Sequence, residues 1–128
     1  MQENHLFEYA VIRVVPRVER EEFLNVGVIL LCAKQKFLKT RIELKEERLK
    51  ALCNEVDTEA LKQHILSFEL ISRGGEQGGT IGSLPIAERF RWLTATRSTM
   101  VQTSKVHPGL CTDPQQQLDR LYEELVVI

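Results

Sequence analysis

The stretch Phe23–Leu44, FLNVGVILLCAKQKFLKTRIEL, decides the fold. Its first part, Phe23–Ala33, is almost continuously apolar, as a central strand covered on both faces requires. Gly27 interrupts that run and predicts a bulge or a close backbone approach. Lys34–Lys36 forms a short turn. Phe37–Leu44 then alternates apolar and polar residues, the pattern of a strand with one wet face. A turn this short joins antiparallel neighbours, so the stretch reads as a hairpin.

Working outward, Glu8–Val15, EYAVIRVV, is a further strand that ends at Pro16, which has no backbone N–H to donate. Arg17–Glu22 is a charged connection. After the hairpin, Lys45–Val56 carries Leu49, Leu52, Cys53 and Val56 at helical spacing, with Glu46 four residues before Lys50. Asp57 can cap a second helix bearing Leu61, Ile65 and Phe68 and ending near Gly74. Arg73–Ser83, RGGEQGGTIGS, reads as a flexible loop and lacks the Gly-Lys-Ser/Thr ending of a phosphate-binding loop. In Leu84–Thr94, Ile86, Phe90 and Leu93 fit one helical face, yet Phe90-Arg91-Trp92 alternates like a strand. The expectation is a short helix that gives way to extended chain near Trp92. Ser98–Ser104 is a polar strand and Lys105–Cys111 a loop. A terminal helix follows, with Asp113 as cap and Pro114 at its first position, or Thr112 and Gln115 as a capping box. Leu118, Leu121, Tyr122 and Leu125 form its apolar stripe. The expected architecture is α+β, an antiparallel sheet with an N-terminal meander and helices packed mainly on one face. Residues 1–128 are expected to form a single globular domain.

Composition narrows the function. The 17 basic and 18 acidic residues leave a net charge of −1, which gives no long-range attraction to nucleic acid or anionic membrane. The distribution is less even. Gly74–Cys111 holds four basic residues against two acidic, whereas Thr112–Ile128 holds one against four. The longest apolar run, Val26–Ala33, is far short of the roughly 18 residues of a membrane helix. Cys32, Cys53 and Cys111 are odd in number and widely spaced, unlike a disulfide scaffold or a zinc site. The opening residues MQENHLFEYA do not read as a signal peptide. A cytoplasmic protein with no metal and no cofactor is the expectation.

The densest polar set lies between Glu88 and His107: Arg89, Arg91, Arg97, Ser98, Thr99, Gln102, Ser104 and His107. Guanidinium forks and hydroxyls suit a phosphate or carboxylate. Arg89 and Arg91 can act together only on a strand, since a helix sets them about 200° apart. Histidine is the residue type suited to acid/base work near neutral pH, which makes His107 the one acid/base candidate, with Cys111 four residues on as a nucleophile if the two meet in space. His5 and His64 read as fillers without partners. Trp92 is either core, if extended, or a partner anchor, if helical. The carboxylates of Glu19, Glu21, Glu22, Glu123 and Glu124 read as solvated charge. A non-enzymatic binding module acting with a protein partner fits these residues better than the alternative, a small enzyme or ligand sensor that holds a phosphate or carboxylate through the Arg/Ser/His cluster, and an association of the chain with itself is compatible with them.

Two stretches carry a family resemblance: EFLNVGV (Glu22–Val28) after YAVIRVVP, and ERFRWLTATRSTMVQTSKVHPGLCTD (Glu88–Asp113). With them the chain resembles the bacterial family called domain of unknown function 3037, from about Tyr9 to the terminal helix. The resemblance implies no established chemistry. It does imply an accessory, antitoxin-like or substrate protein acting with a HipA-like serine/threonine kinase in a toxin-antitoxin, stress or phage-defence locus, since genes of similar proteins often lie beside one encoding such a kinase. It points to Glu22, Asn25 and Gly27, with Asn25 and Gly27 in structural roles. It also points to Arg89, Phe90, Arg91, Trp92, Arg97, Ser98, Thr99 and His107 as the ligand- or partner-binding region.

Overall fold

A computed structural model of the chain describes residues 3–127. The strands are β1 (His5–Val14), β2 (Leu24–Cys32), β3 (Phe37–Ile42), β4 (Val101–Thr103) and β5 (His107–Cys111). The helices are α1 (Glu46–Leu52), α2 (Thr58–Arg73), the single turn α3 (Gly79–Gly82), α4 (Ile86–Leu93) and α5 (Pro114–Tyr122), which continues into a π-helical turn, Glu123–Val127. All strand pairs are antiparallel, in the order β3-β2-β1-β4. The fold is therefore α+β.

β5 pairs with the same edge of β1 as β4 does. This corrects the expectation of a loop over Lys105–Cys111. Pro108 and Gly109 resemble turn residues, but an edge strand tolerates a proline whose missing N–H would have faced away from the ladder. Between β4 and β5 the strand kinks. There the Val11 N–H donates to Ser104 Oγ at 2.8 Å, and the Ser104 N–H donates to the Val11 carbonyl at 2.8 Å. The Ser104 hydroxyl in turn donates to the Lys105 carbonyl at 2.9 Å. Ser104 is only 8% exposed, so its oxygen replaces a backbone acceptor lost at the kink. Ser104→Ala leaves the Val11 N–H without that acceptor and should cost about 1–3 kcal/mol. Urea unfolding of the two proteins measures it, and a loss near zero would contradict the role.

The sheet separates two apolar clusters. On one face Ala10, Ile12 and Val14 of β1 and Ile29 and Leu31 of β2 pack with Leu49, Leu61, Phe68 and Phe90 from the helices. On the other, Phe7, Val28, Leu30 and Cys32 pack with Leu118, Leu121, Tyr122 and Val126. Thus α1–α4 cover one side, and α5 with its π turn covers part of the second.

The β1–β2 register explains why both faces stay apolar. Ile12 pairs with Gly27 and Arg13 with Asn25, leaving Val26 as the extra residue of a β-bulge. Leu24 and Val26 lie on the helix side before the bulge, and Ile29 and Leu31 after it, so the alternation reverses phase. Gly27 follows Val26 on the same side. A Cβ there would meet the Arg41 carbonyl oxygen at 2.5 Å and Ile42 Cγ1 at 2.8 Å, so only glycine fits.

Both longer capped helices start as their sequences predict. The Asp57 side chain accepts from the Ala60 N–H at 3.0 Å, and Asp113 accepts from Gln115 and Gln116 at 3.0 and 3.3 Å, with Pro114 in the first position. α5 is then tied to β3. Tyr122 Oη donates to Glu43 Oε2 at 2.9 Å, and the Arg41 guanidinium lies 4.2 Å over the Tyr122 ring while meeting Asp119 at 3.2 Å. Glu46 pairs across to Lys62 of α2 at 2.7 Å rather than along its own helix with Lys50.

The glycine-rich segment is a folded loop, not a free one. The Gly75 N–H donates to the Gly82 carbonyl at 3.0 Å and the Gly78 N–H to the Gly75 carbonyl at 3.1 Å. Gly74 ends α2 at φ 80°, where the left-handed region favours glycine, and leaves room for the Arg89 guanidinium beside it.

Candidate functional site

α4 stays helical through Trp92 and Leu93, with no extended segment there. Its buried stripe is Phe90 and Leu93, which turns Trp92 outward at 39% exposure. This helical setting decides the arginines. The Arg89 guanidinium points back to the loop, donating to the Leu84 carbonyl at 2.7 Å and the Ser72 carbonyl at 3.4 Å. It acts as an internal brace between α2 and α4. Arg91 is exposed on another side of the helix. The two therefore form no common fork.

Arg97 behaves differently. Its guanidinium lies 3.9 Å over the Trp92 ring and donates to the Trp92 carbonyl. Burial pulls its pKa below the usual arginine value, though an arginine stays cationic at any physiological pH. Arg97 and Ser98 line a cleft of about 540 Å³. β1 and the connection after it contribute Arg13, Val15, Val18, Glu21 and Phe23 to the lining. Gln102, paired with Arg13 across β1 and β4, lines it as well.

Arg13 lies 4.1 Å over the Phe23 ring, so both guanidinium groups that line the cleft rest on aromatic rings, of which Phe23 lines the cleft and Trp92 lies outside its lining. The Arg13 Nε is buried and has no hydrogen-bond partner among the described residues. Phe23 is 47% exposed although it is a large apolar ring. Residue-by-residue reading of the sequence missed Arg13 and Phe23. The available signal was Arg13 itself, a lone charge inside the apolar run Ala10–Val15, since arginine is rarely placed among buried neighbours without a use.

The remaining candidates lie elsewhere. The Thr99 hydroxyl donates to the Val101 carbonyl at 2.8 Å and is used within its turn. His107 is exposed on β5 and stacks on Tyr9, its partner across the strands, with ring centroids 5.3 Å apart. Along β1, Tyr9 and Arg13 are four residues apart, about 13 Å at strand rise. His107 therefore stands well away from the Arg13–Gln102 end of the sheet. Cys111 is buried, and its thiol is pushed up in pKa by that burial and by neighbouring Cys32, which works against a thiolate nucleophile. His5 is not isolated; its Nε2 meets the Gln35 side-chain nitrogen at 2.8 Å. Asn25 donates to the Leu125 carbonyl at 3.2 Å, fastening the bulge to the π turn.

The family described as "Protein of unknown function (DUF3037)" matches residues 9–126. The chain belongs to this family. Neither curated proteins nor solved structures provide a match. The DUF3037 match takes in every helix, four whole strands and most of β1, and with them the residues that line the cleft. No group of three or more His, Cys, Asp or Glu residues among those described is arranged to hold a metal ion. No described helix is long and apolar enough to cross a membrane.

Proposed function

We propose that this DUF3037 protein is a non-enzymatic binding module that acts with a protein partner, and that the cleft between Arg13 and Arg97 is its recognition site. One observation carries the reading: two guanidinium groups, each seated on a solvent-facing aromatic ring, flank the same concavity. Stacking holds an arginine's planar fork in place, so less entropy is lost when it grips a carboxylate or phosphate. Exposed tryptophan and arginine are also the residue types that dominate binding energy at protein interfaces. The family resemblance makes a HipA-like kinase the partner to try first.

Co-expression with such a kinase should yield a complex that co-elutes on size exclusion. Arg97→Ala and Trp92→Ala should each weaken it by about 30-fold, the equivalent of about 2 kcal/mol at a hot spot. A kinase that elutes alone, or a complex indifferent to both substitutions, overturns the reading.

The unpartnered Arg13 Nε supports a second reading in the same place, a sensor of a small anion. Inorganic phosphate at 100 times its dissociation constant would then add about 2.7 kcal/mol to stability. That gain would disappear in Arg13→Ala and Arg97→Ala.

A further inference from the structure

β3 ends the strand order on the side away from β4, and no other strand of the described residues pairs with it. Its ladder to β2 determines which backbone groups face outward. The Glu43 N–H donates to the Val26 carbonyl at 2.8 Å, and Arg41 lies opposite Val28 two positions earlier. Residues that exchange bonds recur at every second position of an antiparallel ladder. Lys39 and Arg41 therefore bond inward, while Leu38, Thr40 and Ile42 turn their N–H and C=O groups away from β2.

That outer edge opens into a groove of about 400 Å³ between residues 38–42 and the α2 residues Glu69, Ser72 and Arg73. A strand edge running beside a helix is a setting in which extended peptides add to sheets. The groove is lined by three cations, Lys39, Arg41 and Arg73, against one acid, Glu69. From Phe23 to Ile42 the chain has four cations, Lys34, Lys36, Lys39 and Arg41, and no carboxylate. At the rim Arg73 meets Glu69 at 3.3 Å and Arg41 meets Asp119 at 3.2 Å, so among the described residues Lys39 is the lining cation without a carboxylate partner.

The side chains sort by face. Leu38 and Ile42 belong to the helix-side cluster and Thr40 meets Ser72 at 3.4 Å, whereas Lys39 and Arg41 reach Gln115 and Asp119 of α5 on the other side. A second copy pairing through β3 about Thr40 would set Lys39 against the other copy's Arg41, and like charges directly opposite are destabilising. The complementary occupant is acidic.

We propose that the outer edge of β3 is a docking site for an extended acidic segment of a partner protein. That segment alternates Asp or Glu with apolar residues and adds to the sheet as a further strand. Its carboxylates lie on the Lys39–Arg41 side and its apolar side chains lie beside Leu38 and Ile42. The site lies at the opposite end of the strand order from the cleft and stands independently of it.

The test is a titration of the intact protein with a capped heptapeptide alternating glutamate and valine, followed by amide NMR and hydrogen exchange. Exchange at Leu38, Thr40 and Ile42 should slow by about tenfold, equivalent to about 1.4 kcal/mol. The same peptide with lysine in place of glutamate should have no effect. Thr40→Pro removes an outward N–H at a position where an edge strand tolerates proline, and should abolish the protection. Arg41→Glu, checked for fold by circular dichroism, should weaken it by about tenfold, about 1.4 kcal/mol. Unprotected edge amides at saturating peptide, equal protection by the lysine peptide, or shifts confined to the cleft would each overturn the proposal. So would protection that appears with protein concentration alone, which would mean that a second copy covers the edge.

Discussion

Phe90→Ala should cost about 3–5 kcal/mol, the range for truncating a buried phenylalanine, and lower the melting temperature by about 15 °C. Phe90 is 1% exposed and sits in the helix-side cluster with Ile12, Val14, Ile29 and Leu93. Burying such a ring is worth about 1.5–3 kcal/mol in transfer alone, and the cavity adds the rest. α4 has only eight residues, too few to be helical without that anchor. Its outer side carries Trp92, and Arg97 stacks on Trp92. On the binding role proposed above, the same substitution should therefore also weaken the complex, although Phe90 itself is buried. Thermal or urea unfolding gives the first quantity and co-elution with the kinase the second. Phe90→Leu, which keeps most of the volume, should lose less than about 1.5 kcal/mol and retain binding. Full stability in Phe90→Ala would contradict the packing described.

Gly27→Ala should cost about 3 kcal/mol, well beyond the usual effect of adding one methyl group in a strand. The new Cβ would sit 2.5 Å from the Arg41 carbonyl oxygen and 3.0 Å from the Ile42 Cα. Both are backbone atoms of β3, so no side-chain rotation relieves the contact. Either β3 moves away from β2 or the bulge is lost, and losing it swings Val26 off the helix face. Proton exchange should accelerate first at the β2–β3 amides. A Gly27→Ala protein as stable as its parent would show that the bulge can relax at no cost.

Much of this architecture is readable from local pattern. The unbroken apolar run of β2, the alternation of β3, the stripe of α2 and the Asp113-Pro114 start of α5 are short-range signals, and each element forms where its pattern lies. Some failures are local: the helix expected over Lys45–Val56 ends at Leu52, and the strand expected over Ser98–Ser104 is confined to Val101–Thr103. Others are long-range. β5 contains Pro108 and Gly109 and forms a strand only because the β1 edge is there to receive it. The glycines of residues 74–82 read as freedom, but a Cβ on Gly82 would meet the Gly75 carbonyl at 2.6 Å and one on Gly78 the Leu70 carbonyl at 3.0 Å, so these two permit close backbone packing, while Gly75 and Gly79 hold positive φ in open space. Around Trp92 two periodicities overlap in three residues, too few to separate. At the cleft, Arg97 and Ser98 stand out by residue type. Arg13 and Phe23 come from the other end of the chain, and no local pattern joins them to Arg97.

The division of the interior by the sheet has a consequence for how the molecule is made. All of the buried members of the helix-side cluster fall between Ala10 and Val101, whereas the opposite cluster requires residues 111–126. The larger core draws none of its buried members from residues 111–126, so it can close before that segment docks. With the segment undocked, the undersides of Val28, Leu30 and Cys32 are open to water. Such a state has one finished side and one adhesive side, and docking of α5 ends it.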